Sequence, residues 1–85
     1  MKKIITAIGN ENLNNILKKD NNIEIVINDI QYKEGIIEIL EENPDIDFII
    51  LNNLIQGEIS TEELVNKIIK INKKIKIILI LEKYE

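Results

Sequence analysis

Residues 48–51 read Phe-Ile-Ile-Leu and are followed at once by the pair Asn52-Asn53. A short run that is apolar at every position is typical of a strand covered on both faces of a parallel sheet. Lys3 to Ile8 (KIITAI) has the same character and ends at Gly9. We therefore predict two central strands, each of which ends where polar or turn-forming residues begin.

Two further segments have strand character. Ile23 to Ile30 (IEIVINDI) alternates apolar and polar residues, which indicates a strand at a sheet edge with one face partly exposed to solvent. Ile75 to Leu81 (IKIILIL) is apolar on both sides, with Lys76 as its one charge. This second profile is that of a central strand, although the chain places it last.

Helical periodicity occupies the three segments between these strands. The first helix follows the N-cap Asn10, the second covers about Tyr32 to Glu42, and the third begins at the capping box of residues 60–63. Pro44 ends the second helix. The apolar stripes are formed by Leu13, Ile16 and Leu17; by Ile36, Ile37 and Leu40; and by Leu64, Ile68 and Ile71.

The order β-α-β-α-β-α-β predicts an α/β fold with a parallel sheet and right-handed crossovers. The 85 residues fit a single domain over residues 1–85. We expect that domain to be incomplete at its C-terminus or to complete itself by association, through the last strand or through the face of the first helix. An apolar strand left at an edge is a template for pairing with another chain.

Composition excludes several classes of function. The chain has no Cys, His, Trp or Arg, so thiolate zinc sites, cysteine nucleophiles and imidazole catalysis are excluded. A net charge of −4 disfavours binding to nucleic acid, which is itself negatively charged. No apolar stretch approaches the length of a membrane span, and no secretory signal is present, so we expect a cytoplasmic protein without membrane contact.

Candidate site residues lie where the predicted strands end, because ligands of open parallel sheets bind at the carboxyl ends of the strands. Gly9 stands alone, without the further glycines of a dinucleotide or phosphate loop. A rim for a small polar ligand is offered by Asn28, Asp29, Asn53 and Glu82.

Carboxylates near the same ends allow two further interpretations. Glu11, Asp29 and Glu82 could converge on a hard cation, but solvated loop carboxylates are the simpler interpretation, so we expect no metal and no cofactor. An enzyme that used one of these carboxylates as a general base would need a partner group that the sequence does not supply. We expect a protein that is not an enzyme.

Residues 47–57 (DFIILNNLIQG) resemble the third strand and the following loop of response-regulator receiver domains. Receivers read D-x-I-x-L-D there, and the final Asp accepts the phosphoryl group. Asn52 holds that position in this chain, Gln56 stands where the loop proline usually lies, and Gly57 fits. The acidic pair after the first strand is replaced by Gly9 and Asn10. The chain resembles the first seven elements of a receiver.

This resemblance implies a flavodoxin-like three-layer sandwich with strand order 2-1-3-4 and a degenerate phospho-site at Gly9, Asn10 and Asn52. Similar degenerate modules precede the ATPase domain of some bacterial MinD-like and pilus-assembly ATPases. The implied function is a regulatory module that cannot be phosphorylated and acts on a protein partner, a second copy or a downstream ATPase domain. The alternative is a sensory domain that binds a small ligand at the strand rim.

Overall fold

The computed structural model describes residues 1–81, which form four strands and three helices. The strands are β1 (Lys2–Ala7), β2 (Ile23–Ile27), β3 (Phe48–Asn52) and β4 (Lys76–Ile80), and the helices are α1 (Glu11–Lys18), α2 (Lys33–Glu42) and α3 (Thr61–Ile71). Glu82, which is one of the residues predicted to form the ligand rim, lies outside the described residues.

The sheet has the order β2-β1-β3-β4, and every neighbouring pair of strands is parallel. The prediction of an α/β fold with strand order 2-1-3-4 is thereby confirmed, with β2 at one edge and β1 and β3 inside. This is the architecture of a minimal flavodoxin-like sandwich. The carboxyl ends of β1 and β3 lie side by side at one end of the sheet.

Two apolar clusters cover the two faces of the sheet unequally. On the face of α2 and α3, Ile5 and Ile49 pack with Ile36, Leu64 and other side chains of under 2% exposure. On the face of α1 the buried cluster is limited to Ile4, Ile8 and Ile50, with partly buried neighbours. The α1 face is therefore the thinner layer.

Helix α1 differs from the predicted stripe. Leu13 and Leu17 pack against the sheet, but Ile16 is 64% exposed and the buried position is Asn14. Asn14 is turned inward because its side-chain oxygen accepts a hydrogen bond from the buried hydroxyl of Thr6, at 3.2 Å. The N-cap was predicted correctly, since the side chain of Asn10 accepts from the backbone N–H of Leu13.

Strand β2 is shorter than predicted. It ends at Ile27 rather than Ile30, and its register with β1 shifts after Ile4, so that Ile5 pairs with Ile27 and Val26 is skipped. Ile23 and Ile25 pack on the α1 face, whereas Val26 packs against the cluster of α2 and α3. The alternation predicted for this strand is therefore broken after Val26, and Ile27 is 38% exposed.

Candidate functional site

A polar cleft of about 300 Å³ opens at the carboxyl ends of β1 and β3. Its polar lining comes from three chain segments: Gly9 after β1, Asp29 and Gln31 after β2, and Asn52 with Gln56 at the end of β3 and in the loop that follows. Asp29 is the one carboxylate among the described residues that line it. The cleft therefore offers amides and backbone groups with a single negative charge.

Asn52 forms the floor of the cleft and is only 5% exposed. Its Nδ2 donates to the carbonyl oxygen of Ile8 at 3.1 Å, and its Oδ1 accepts from the backbone N–H of Leu54 at 2.9 Å. The side-chain amide thus ties the end of β1 to the start of the loop after β3. Both ends of the amide are used, and a carboxylate could not donate the first of these bonds.

The side chain of Thr6 organises the opposite wall. Its Oγ1 accepts from the backbone N–H of Asp29 at 2.8 Å and lies 3.1 Å from Oδ1 of Asn28. This hydroxyl helps to hold Asp29 at a φ of 58°, a left-handed conformation that is costly for most residues but tolerated by Asp. The turn places the carboxylate of Asp29 over the end of β1.

Gly9 completes this wall. Its backbone N–H donates to Oδ1 of Asp29 at 2.8 Å, and its own φ is 67°, where glycine carries no steric penalty. Nε2 of Gln31 donates to the backbone carbonyl of Asp29 at 3.0 Å. The carboxylate of Asp29 is therefore engaged by the backbone of the neighbouring strand end.

The loop between β3 and α3 is fastened to the start of α2. The ammonium of Lys33 donates to the carbonyl of Ile59 at 2.7 Å, and its backbone N–H donates to Gln56 at 2.8 Å. Gly57 allows this approach, because a Cβ there would lie 2.9 Å from atoms of both Lys33 and Glu34. The far wall of the cleft is fixed by these contacts.

The structure brings together some of the predicted site residues and separates others. Gly9, Asp29 and Asn52 line the cleft. Asn10 caps α1, Asn28 lies behind the wall against Thr6, and the backbone of Asn53 bonds to Ile80 and Thr61. Asn10, Asn28 and Asn53 are therefore not among the cleft's lining residues.

Sequence reasoning missed Thr6, Asn14 and Lys33. Thr6 is the one polar residue inside the apolar run of β1, and that interruption was the signal that could have located the network behind the cleft. Lys33 gave no signal, because a lysine at a helix start is ordinarily exposed, whereas here it is 8% exposed.

Within residues 1–81, no group of three or more Asp, Glu, His or Cys side chains is arranged to hold a metal ion. No helix in the same part of the chain is both long and apolar enough to cross a membrane.

Comparisons of the chain with protein-family profiles, with curated protein sequences and with solved structures give no match. The fold and the cleft therefore carry the functional argument.

Proposed function

We propose that this chain is a non-catalytic regulatory module of the receiver-like type, which cannot be phosphorylated and acts through protein contacts. The bonding of Asn52 carries the proposal. The resemblance to receivers puts this residue at the position of the phospho-acceptor, and its amide donates to Ile8 and accepts from Leu54. An amide is a poor nucleophile, and this one serves as a structural tie.

The residues after β1 and β2 support the same proposal. Phosphoryl transfer to a carboxylate needs a divalent metal ion to neutralise the transferring group. At the two positions of the receiver acidic pair, Gly9 has no side chain and the Oδ1 of Asn10 accepts from the N–H of Leu13 at 3.0 Å. Asp29 remains as the one carboxylate of the lining, and its Oδ1 already accepts from Gly9.

The resemblance to modules that precede bacterial ATPase domains suggests the setting. We propose that the module belongs to a larger bacterial signalling or ATPase protein and transmits its signal by contact. The reading frame downstream of residue 85 tests this part directly. A phosphate loop of the form G-x-x-x-x-G-K-S/T encoded there supports it, and a frame without a nucleotide-binding motif counts against it.

Intact-mass spectrometry tests whether the chain can be phosphorylated. The wild-type chain is incubated with acetyl phosphate and magnesium at neutral pH, beside a phosphorylatable receiver domain as the positive control. We expect no added phosphoryl group on the wild type. The Asn52→Asp variant should also stay unmodified, because the positions of Gly9 and Asn10 still offer no carboxylate for magnesium. Stoichiometric phosphorylation of the wild type would overturn the proposal.

The cleft favours one second candidate, a sensory domain for a small neutral polar ligand. Its volume of about 300 Å³ is at the lower end for ligand pockets, and Gln31 and Gln56 supply amides at its mouth. A thermal-shift screen with nucleotides and metabolites tests it. A ligand that raises Tm for the wild type but not for Gln31→Ala, while Asn66→Ala responds normally, would establish this function. A screen with no response would reject it.

A further inference from the structure

The outer edge of β4 carries exposed apolar side chains. In residues 1–81, β4 is the last strand of the sheet and pairs only with β3. Ile78 on the α1 face is 48% exposed, and Leu79 on the opposite face is 41% exposed. Ile69 of the neighbouring helix α3 is 47% exposed. Apolar side chains on both faces therefore flank an unpaired strand edge.

The backbone of β4 is oriented for further pairing. The N–H of Lys76 donates to Asp47, and the carbonyl of Ile80 accepts from Asn53, both toward β3 and both at 3.0 Å. The backbone N–H and carbonyl groups of successive residues point alternately to the two sides of a strand. The N–H and carbonyl groups of Ile77 and Leu79 therefore point to the outer edge.

Neither a proline nor a charge across the edge blocks pairing at β4. Residues 76–80 contain no proline, and their one charge is Lys76. The ammonium of Lys76 lies 5.8 Å from the ring centroid of Phe48 on β3. That position is over the sheet rather than across the edge, so the charge does not block an incoming strand.

We propose that a second copy of this chain pairs with this edge, β4 against β4, in antiparallel orientation across a two-fold axis at Ile78. The proposal rests on the proposed function, because it names the partner of an interaction module. Ile77 would exchange both backbone hydrogen bonds with Leu79 of the partner subunit, and all five residues of β4 would be paired. Ile78 would face its own copy.

Helix α3 is self-complementary about the same axis. Val65 and Ile69 lie about 100° around the helix from the buried Leu64 and Ile68. A right-handed crossover turns that side of α3 toward the outer edge of β4. We call Val65 and Ile69 the α3 strip. In an antiparallel pair, Val65 meets Ile69 of the partner subunit, so that apolar side chains of the two helices face each other.

The dimensions of the two elements agree with one shared axis. Strand β4 has 5 residues and α3 has 11, and both are therefore about 16 Å long. The centre of β4 is Ile78, and the centre of α3 lies near the middle of the α3 strip. A helix above the β3–β4 pair would lie about 9.6 Å, or two strand spacings, from its copy, within the range for packed helices. Strand and helix contacts can therefore form together.

Charge at the axis provides the test. Ile78→Lys puts two like charges face to face in the dimer, whereas the same substitution at Ile16, which is 64% exposed on α1, leaves β4 untouched. By sedimentation velocity we expect the wild type at twice the 9.9 kDa chain mass. Ile78→Lys should weaken dimerisation by about 100-fold or more, and Ile16→Lys should not weaken it. Circular dichroism checks that both variants fold.

Mixing experiments test the register. Ile78→Lys and Ile78→Glu should each be monomeric, and an equimolar mixture should form a heterodimer, because residue 78 faces its own copy only in the proposed register. A wild type that stays monomeric at millimolar concentration overturns this inference. It does not affect the proposal that the chain cannot be phosphorylated. A dimer that survives Ile78→Lys but is lost in Ile16→Lys also overturns it and places the interface on α1.

Discussion

Replacing Asn52 by Asp should destabilise the fold, although Asp is the residue that receivers have at the proposed equivalent position. The introduced carboxyl has no donor for the carbonyl of Ile8, which Nδ2 now reaches at 3.1 Å. Two oxygen acceptors would then face each other at a site with 5% exposure. An unsatisfied buried group costs about 1–3 kcal/mol, and a partly desolvated charge adds to that cost. We expect a loss of about 2–4 kcal/mol at pH 7.

The loss should depend on pH in a defined direction. Desolvation and the facing carbonyl should raise the pKa of the introduced carboxyl, so the folded state binds its proton more readily than the unfolded state does. Stability relative to the wild type should then fall as the pH rises and recover on acidification, because the protonated carboxyl can again donate to Ile8. Urea denaturation at pH 7 and at pH 4, followed by circular dichroism, measures this difference.

Asn66→Asp on the exposed surface of α3 is the matched control, since it makes the same chemical change without burial. It should change the unfolding free energy by no more than about 0.5 kcal/mol. A loss at Asn52 that is as small as the control, or equally large at both pH values, would refute the structural role given to this amide.

Three further predictions follow from the packing and the charges. Ile36→Ala should cost about 2–5 kcal/mol in urea denaturation, whereas Ile16→Ala should change stability by under about 0.5 kcal/mol, because the two side chains are 0% and 64% exposed. Thr6→Val should cost about 1–3 kcal/mol by removing the hydroxyl that accepts the turn amide, and Thr6→Ser should preserve the NMR shifts of that turn. The hydrogen bond from Lys3 holds the pKa of Asp45 below its usual range, so this pair stabilises the fold above the carboxyl's unfolded pKa and that contribution is lost on acidification. An NMR titration should find the pKa of Asp45 returned toward its ordinary value in Lys3→Met.

The sequence was sufficient for the sheet because the strands are marked by continuous apolar runs. The strand at Phe48 to Leu51 has no polar face, so it is expected inside the sheet. The helical segments between the strands favour parallel pairing. The capping box was equally direct, since Ser60 accepts from the N–H of Glu63 as its spacing predicts. Local chemistry and the tertiary fold agree at these positions.

Tertiary hydrogen bonds decided the positions that the sequence did not reveal. Periodicity favoured Ile16 for the inner face of α1, but the hydroxyl of Thr6 turned Asn14 inward instead. The register shift beside Val26 and the end of β2 at Ile27 are not encoded by alternation alone. The position of Asn52 at the cleft followed from the strand end, whereas its bonds to Ile8 and Leu54 depend on loops whose paths are set by distant contacts.

An amide NMR titration of the ¹⁵N-labelled chain with magnesium and beryllofluoride tests whether the cleft can hold a phosphoryl group. The anion mimics a phosphoryl group on a carboxylate and reports on the cleft without requiring turnover. The amides of Gly9, Asp29 and Leu54 surround the site and serve as probes. We predict that these resonances stay unchanged, as the proposed inability to be phosphorylated requires. Saturable shifts confined to these amides would contradict it.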